Sequence, residues 1–178
     1  MEEKNWLESI NNKLWFNQIQ EANKYTERYG LTLSKEDTEI LLKEKANTLK
    51  KEQRVEFGQS VLPQIMYAFC DSAYISQSNY LDTLIRLQEI FFLYKNEMED
   101  EITDDELINF MREQFDGVCY GDIDYLETTC LEIFAEAIRE GYREYYVTEG
   151  KGEFAKMDIV ERWDRNIYLQ TLKELLWR

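Results

Sequence analysis

The chain has 178 residues, 44% of them hydrophobic and 14% aromatic, with one proline and seven glycines. That is enough apolar material for one full-sized core, with few helix breakers. Its 36 acidic residues outnumber 21 basic ones, a net charge of −15, and there is no histidine. A field of this sign opposes binding to nucleic acid and to anionic membrane surfaces. The missing histidine excludes a Ser-His-Asp or Cys-His pair, a His-zinc site and an imidazole proton shuttle. Any general base has to be a carboxylate, lysine, tyrosine or cysteine.

Apolar residues recur at helical spacing along nearly the whole chain. Leu7, Ile10 and Leu14 begin the pattern, and Trp15, Ile19, Ala22, Thr26 and Tyr29 continue it, as one long helix or as two broken near Asn17. Gly30 stops it, since glycine takes positive φ without cost. Ser34 with Asp37 reads as the next helix start, with Ile40, Leu41, Leu42, Ala46 and Leu49 behind it. The polar run Lys50 to Arg54 closes that helix.

Ser60 is placed to cap a third helix with Pro63 in its first turn, where a missing N–H costs nothing. Val61, Leu62, Ile65, Met66, Phe69 and Ala73 cover most of its circumference, which predicts a central position. Ser76 opens a helix with apolar residues on two sides, Tyr80, Leu84, Leu87, Phe91 and Tyr94 beside Leu81, Ile85 and Phe92. Thr103 and Glu106 form a capping box for a shorter helix through Phe115. Gly117 and Gly121 mark a turn, after which Ile123, Leu126, Cys130, Ile133 and Ala137 make a long stripe.

A C-terminal helix follows Gly150 and Gly152 and reaches Trp177. Its early apolar residues, Ile159, Val160, Trp163 and Ile167, lie nearly opposite its later ones, Tyr168, Leu169, Leu172, Leu175 and Leu176. Either the helix breaks near Asn166, or it is straight and Leu169, Leu172 and Leu176 contact a partner or a second copy; the absence of Gly and Pro from Asp158 to Arg178 favours the second. The fold expected is all-α, a single compact array of about six to eight helices in one domain over residues 1–178.

Three cysteines, Cys70, Cys119 and Cys130, are spaced too widely for a CxxC pair and make a poor zinc cage without histidine. They read as free thiols packed as small hydrophobes in a reducing cytosol. The acidic start MEEKNWLESI lacks the basic region of a signal peptide, and no apolar run approaches the ~20 residues that span a bilayer. A cytoplasmic location is therefore expected, with neither membrane nor nucleic acid as partner.

The segment Asp116 to Glu127, DGVCYGDIDYLE, resembles the loop of the EF-hand family. Asp116, Gly121, Ile123 and Glu127 fall at loop positions 1, 6, 8 and 12, and Asp124 falls at position 9. The resemblance implies calcium ligands at Asp116, Asp124 and Glu127. Positions 3 and 5, which should supply side-chain oxygens, are Val118 and Tyr120, so binding tighter than about millimolar is not expected. The same residues also suit an ordinary turn followed by an N-cap.

Other acidic patterns carry less. The run EMEDEITDDE, Glu97 to Glu106, places carboxylates where the next helix dipole favours them and reads as a solvated loop. Glu132 with Glu136 and Glu140 with Glu144 have the one-turn spacing of a magnesium-gathering pyrophosphohydrolase, but that spacing is nearly unavoidable in an acidic helical chain. The adjacent aromatics, such as Trp15–Phe16, Phe91–Phe92 and Tyr145–Tyr146, point about 100° apart, so one of each pair can be core and the other a boundary or binding residue.

At AFCDSAY, Ala68 to Tyr74, and at the later FDG turn, the chain resembles a family of short acidic helical proteins from Gram-positive bacteria, a domain of unknown function. The resemblance implies a bacterial cytosolic origin and carries no activity. The leading functional reading is a non-enzymatic module that binds a protein partner or associates with itself, with no cofactor. Its alternatives are a carboxylate-based metal-dependent enzyme and a divergent calcium-binding helix-loop-helix protein. Exposed aromatics gathered on one face favour the module, and four or more buried carboxylates around one cavity favour the enzyme.

Overall fold

The computed structural model describes residues 2–139, with side chains from residue 8 onward. The C-terminal helix, with Leu169, Leu172 and Leu176, lies outside the described residues. Helix α1 spans Glu2–Thr26, α2 Lys35–Lys51, α3 Leu62–Phe69, α4 Tyr80–Glu97 and α5 Asp104–Asp116. A three-residue helix α6, Ile123–Tyr125, leads through a π-helical segment, Leu126–Cys130, into α7, Leu131–Arg139. Among the described residues there is no strand, and the fold is an all-α array. Contacts divide the chain at Leu131, Met1–Leu131 forming the first of two units.

Local chemistry sets several helix ends in that first unit. Gly30 takes φ +76° and returns its N–H to the Glu27 carbonyl, closing the 3₁₀ turn Glu27–Tyr29 that ends α1. Both anticipated capping boxes form, Ser34 with Asp37 at α2 and Thr103 with Glu106 at α5. Each leaves fewer orphan N–H groups at its helix start.

Three elements depart from the sequence pattern. Helix α3 ends at Phe69 instead of running on to Ala73, because Asp71 and Ser72 are drawn into hydrogen bonds with α5. Helix α4 begins at Tyr80, four residues after Ser76, whose N–H is taken by the Asn79 side chain in a turn. The stripe after Ile123 is interrupted at Leu126–Cys130, where the helix widens by one residue per turn.

Helix α3 is the centre of the first unit and packs on α1, α4 and α5, while α2 lies against α4 and α1. Leu62, Ile65, Met66 and Phe69 are all fully buried. Each contributes about 1.5–3 kcal/mol by leaving water. Helix α4 is apolar on two sides because it is covered on two sides, with Leu84, Leu87, Ile90, Phe91, Phe92 and Tyr94 all buried.

Two lysines, Lys45 and Lys95, are buried with them. The Lys45 ammonium, 0% exposed, is paired to Glu56 and donates to Ser60 Oγ at 3.0 Å. It also sits 4.7 Å from the Trp15 ring centroid and 5.5 Å from that of Phe92. Burial lowers its pKa, opposed by the Glu56 charge. Trp15 Nε1 donates to the Gly58 carbonyl at 3.1 Å, and the Ser60 N–H donates to Gln18 at 2.9 Å. Together these pin the loop between α2 and α3 onto α1.

Candidate functional site

A surface of tyrosines crosses the ends of α1 and α3. Tyr25 and Tyr29 are four residues apart, so the helix and its 3₁₀ extension present them on one side. Their ring centroids lie 6.0 Å apart. The Thr26 hydroxyl holds the turn by donating to the Leu31 carbonyl at 2.8 Å. Tyr67 meets Tyr25 edge to face at 5.2 Å, from the side of α3 opposite its buried residues. Tyr25 touches both other rings, yet Tyr25, Tyr29 and Tyr67 stay 37%, 44% and 45% exposed. The Arg28 guanidinium stacks over Tyr25 at 4.2 Å.

Next to this surface, Arg112 ties α5 to residues 68–71. Its Nε and Nη2 donate to Asp116 at 2.9 and 2.6 Å, and its Nη1 donates to the Ala68 carbonyl and to Asp71. Ser72 Oγ donates to the other Asp116 oxygen at 2.6 Å. The segments AFCDSAY and FDG, distant in sequence, are thus one structural unit. The hydrogen bond from Arg112 holds the Asp71 pKa below its ordinary value. Tyr74 packs edge-on to Phe115 at 6.2 Å. Gly121, at φ +79°, lies so close that an added Cβ would stand 2.5 Å from Tyr74 Cβ.

The three carboxylates of the EF-hand-like loop are divided between two arginines. Asp116 is held by Arg112, whereas Asp124 and Glu127 accept from Arg86 of α4 at 3.0 and 2.6 Å. Glu89 joins the Arg86 cluster at 3.4 Å. Asp122 caps α6, accepting from the N–H groups of Asp124 and Tyr125. Among the described residues no group of three or more Cys, Asp or Glu side chains is arranged to hold a metal ion. Beside Arg86 lies a polar cleft of about 120 Å³, bordered by Glu44 and Lys51 of α2, Glu52 just beyond it, Glu89 of α4 and Glu127. Its walls carry both signs of charge, and Arg86 is already engaged by the carboxylates around it.

The sequence left several of these groupings unseen. Arg112–Asp116 has helical i, i+4 spacing and was open to reading, but nothing local joins Arg112 to Asp71. Nor does spacing alone show that Cys119 and Cys130, both buried free thiols, bring their sulfurs within 3.5 Å. The widened turn at Leu126–Cys130 helps place them.

A family model described as "Family of unknown function (DUF6323)" matches residues 18–144. That span includes AFCDSAY, FDG and the tyrosines described above. Neither a curated protein nor a solved structure matches the chain.

Proposed function

The chain belongs to this family of unknown function, and we propose that it works as a non-enzymatic helical module that docks another protein on the face of Tyr25, Tyr29 and Tyr67. The observation that carries the reading is Tyr25 in ring contact with both Tyr29 and Tyr67, all three left more than a third exposed. Rigid tyrosines offer large contact area at low entropic cost, with hydroxyls for hydrogen bonds, and are enriched where proteins bind one another. The partner suited to it carries basic side chains. The net charge of −15 attracts such a segment, and the ring of Tyr25 already accommodates a guanidinium, that of Arg28.

A reducing, cytoplasmic setting fits three free, buried thiols, and no helix among the described residues is long and apolar enough to cross a membrane. The one-domain organisation over residues 1–178 and the partner contact at Leu169, Leu172 and Leu176 belong to the same proposal. The test is affinity purification from the native host with Tyr29→Ser and Tyr67→Ser introduced together. Both side chains are half exposed, so helicity and melting temperature should stay near wild type. A basic protein that copurifies with the wild type should be lost from the variant. The same basic partner recovered equally by both would place the docking face elsewhere.

A further inference from the structure

We propose that Cys119 and Cys130 form an oxidation site that closes to an intramolecular disulfide when the protein meets a peroxide. Their sulfurs are 3.5 Å apart. A disulfide needs about 2.05 Å, so closure takes a movement of about 1.5 Å. The flanking backbone is of the kind that can supply it. Cys119 lies in the turn beyond α5, next to Tyr120 at φ +49°, and Cys130 ends the π-helical segment. Neither sulfur is fixed in the middle of a regular helix.

The chemistry balances with hydrogen peroxide as the two-electron oxidant. The Cys119 sulfur attacks one peroxide oxygen, the O–O bond breaks, and the thiol proton leaves with the other oxygen as water. The resulting sulfenic acid is then attacked by the Cys130 sulfur. The S–S bond forms, the S–O bond breaks, and a second water carries away the Cys130 proton. Cys119 is the first to react because it is 4% exposed against 1% for Cys130. The hydrogen-bonded Cys130 thiol and burial keep Cys119 protonated at neutral pH, so the resting pair is slow and responds to sustained oxidant.

The closed loop would hold the α6 cap Asp122 and both loop carboxylates on Arg86, Asp124 and Glu127. Oxidation therefore acts on the segment that borders the polar cleft. This inference does not depend on the docking face proposed above.

The experiment uses the full chain, reduced, freed of reductant and titrated with hydrogen peroxide. Alkylation and peptide mapping under non-reducing conditions read each thiol. The expected product has lost two hydrogens, contains a peptide linked from Cys119 to Cys130, reverts with dithiothreitol, and forms before Cys70 is consumed. Hydrogen exchange across residues 119–130 should slow on oxidation. In Cys130→Ala the linked peptide should vanish and a dimedone-reactive sulfenic acid should appear at Cys119. The wild-type map stands by itself if that variant fails to fold. Oxidation of Cys70 ahead of the pair would overturn the proposal. So would conversion of Cys119 to sulfinic acid in the wild type without a linked peptide.

Discussion

A methyl group added at Gly121 tests why glycine occupies the sixth position of the calcium-like loop. Gly121 has φ +79°, where a side chain costs about 1–2 kcal/mol. An added Cβ would also meet Tyr74 Cβ at 2.5 Å, Cγ at 2.6 Å and Cδ1 at 2.8 Å. Forced overpacking of that kind typically costs about 1–3 kcal/mol. Gly121→Ala should therefore lose about 2–5 kcal/mol. Gly30 is the internal control: its φ is +76° but nothing lies within 4 Å of the added Cβ, so Gly30→Ala should lose only the backbone part. Gly121→Asn separates the causes further. Asparagine tolerates the left-handed region, so it should rescue position 30 but not position 121. Urea denaturation of these variants, repeated in a Tyr74→Gly background, measures the coupling between the two residues. An expected coupling of about 1–3 kcal/mol isolates the steric part. Equal losses for alanine at positions 30 and 121, or strict additivity with Tyr74→Gly, would refute the packing argument.

Two further outcomes follow from the buried and surface charges. Lys45→Met strands Glu56 and removes the hydrogen bond to Ser60, so denaturation should show a loss of about 3–5 kcal/mol; a loss below about 1 kcal/mol would mean that the ammonium holds no loop in place. Asp71 and Asp100 have pKa values lowered by hydrogen bonds from Arg112 and Arg54. A carboxylate with a depressed folded-state pKa adds stability above its unfolded value, about 3.9, and loses it as pH falls below that. The melting temperature should hold from pH 6 to 8, where a chain without histidine has no ordinary titrating side chain. It should drop below about pH 4, less steeply in Arg112→Gln. An unchanged acid limb in that variant would show that the arginine does not set the Asp71 proton affinity.

What could be read from the sequence was what neighbours along the chain decide. The two capping boxes, the stop at Gly30 and the apolar stripes of α3 and α4 are each written within a few residues. Their energetics are local, so the sequence suffices. The all-α fold follows from those stripes and the scarcity of breakers. The early end of α3 was decided differently, by Arg112 arriving from α5 some forty positions away to take Asp71 and the Ala68 carbonyl. The loop carboxylates show the same division of causes. Spacing alone makes Asp116, Asp124 and Glu127 positions of one loop, and the fold adds two guanidinium groups, Arg112 on Asp116 and Arg86 on Asp124 and Glu127. The paired thiols of Cys119 and Cys130 and the touching rings of Tyr25 and Tyr67 likewise arise where separate segments are packed together. Each of these sites depends on the direction in which a side chain leaves one helix toward another. Periodicity fixes the face of a helix and not the neighbour that face will meet, so that part belongs to the tertiary structure.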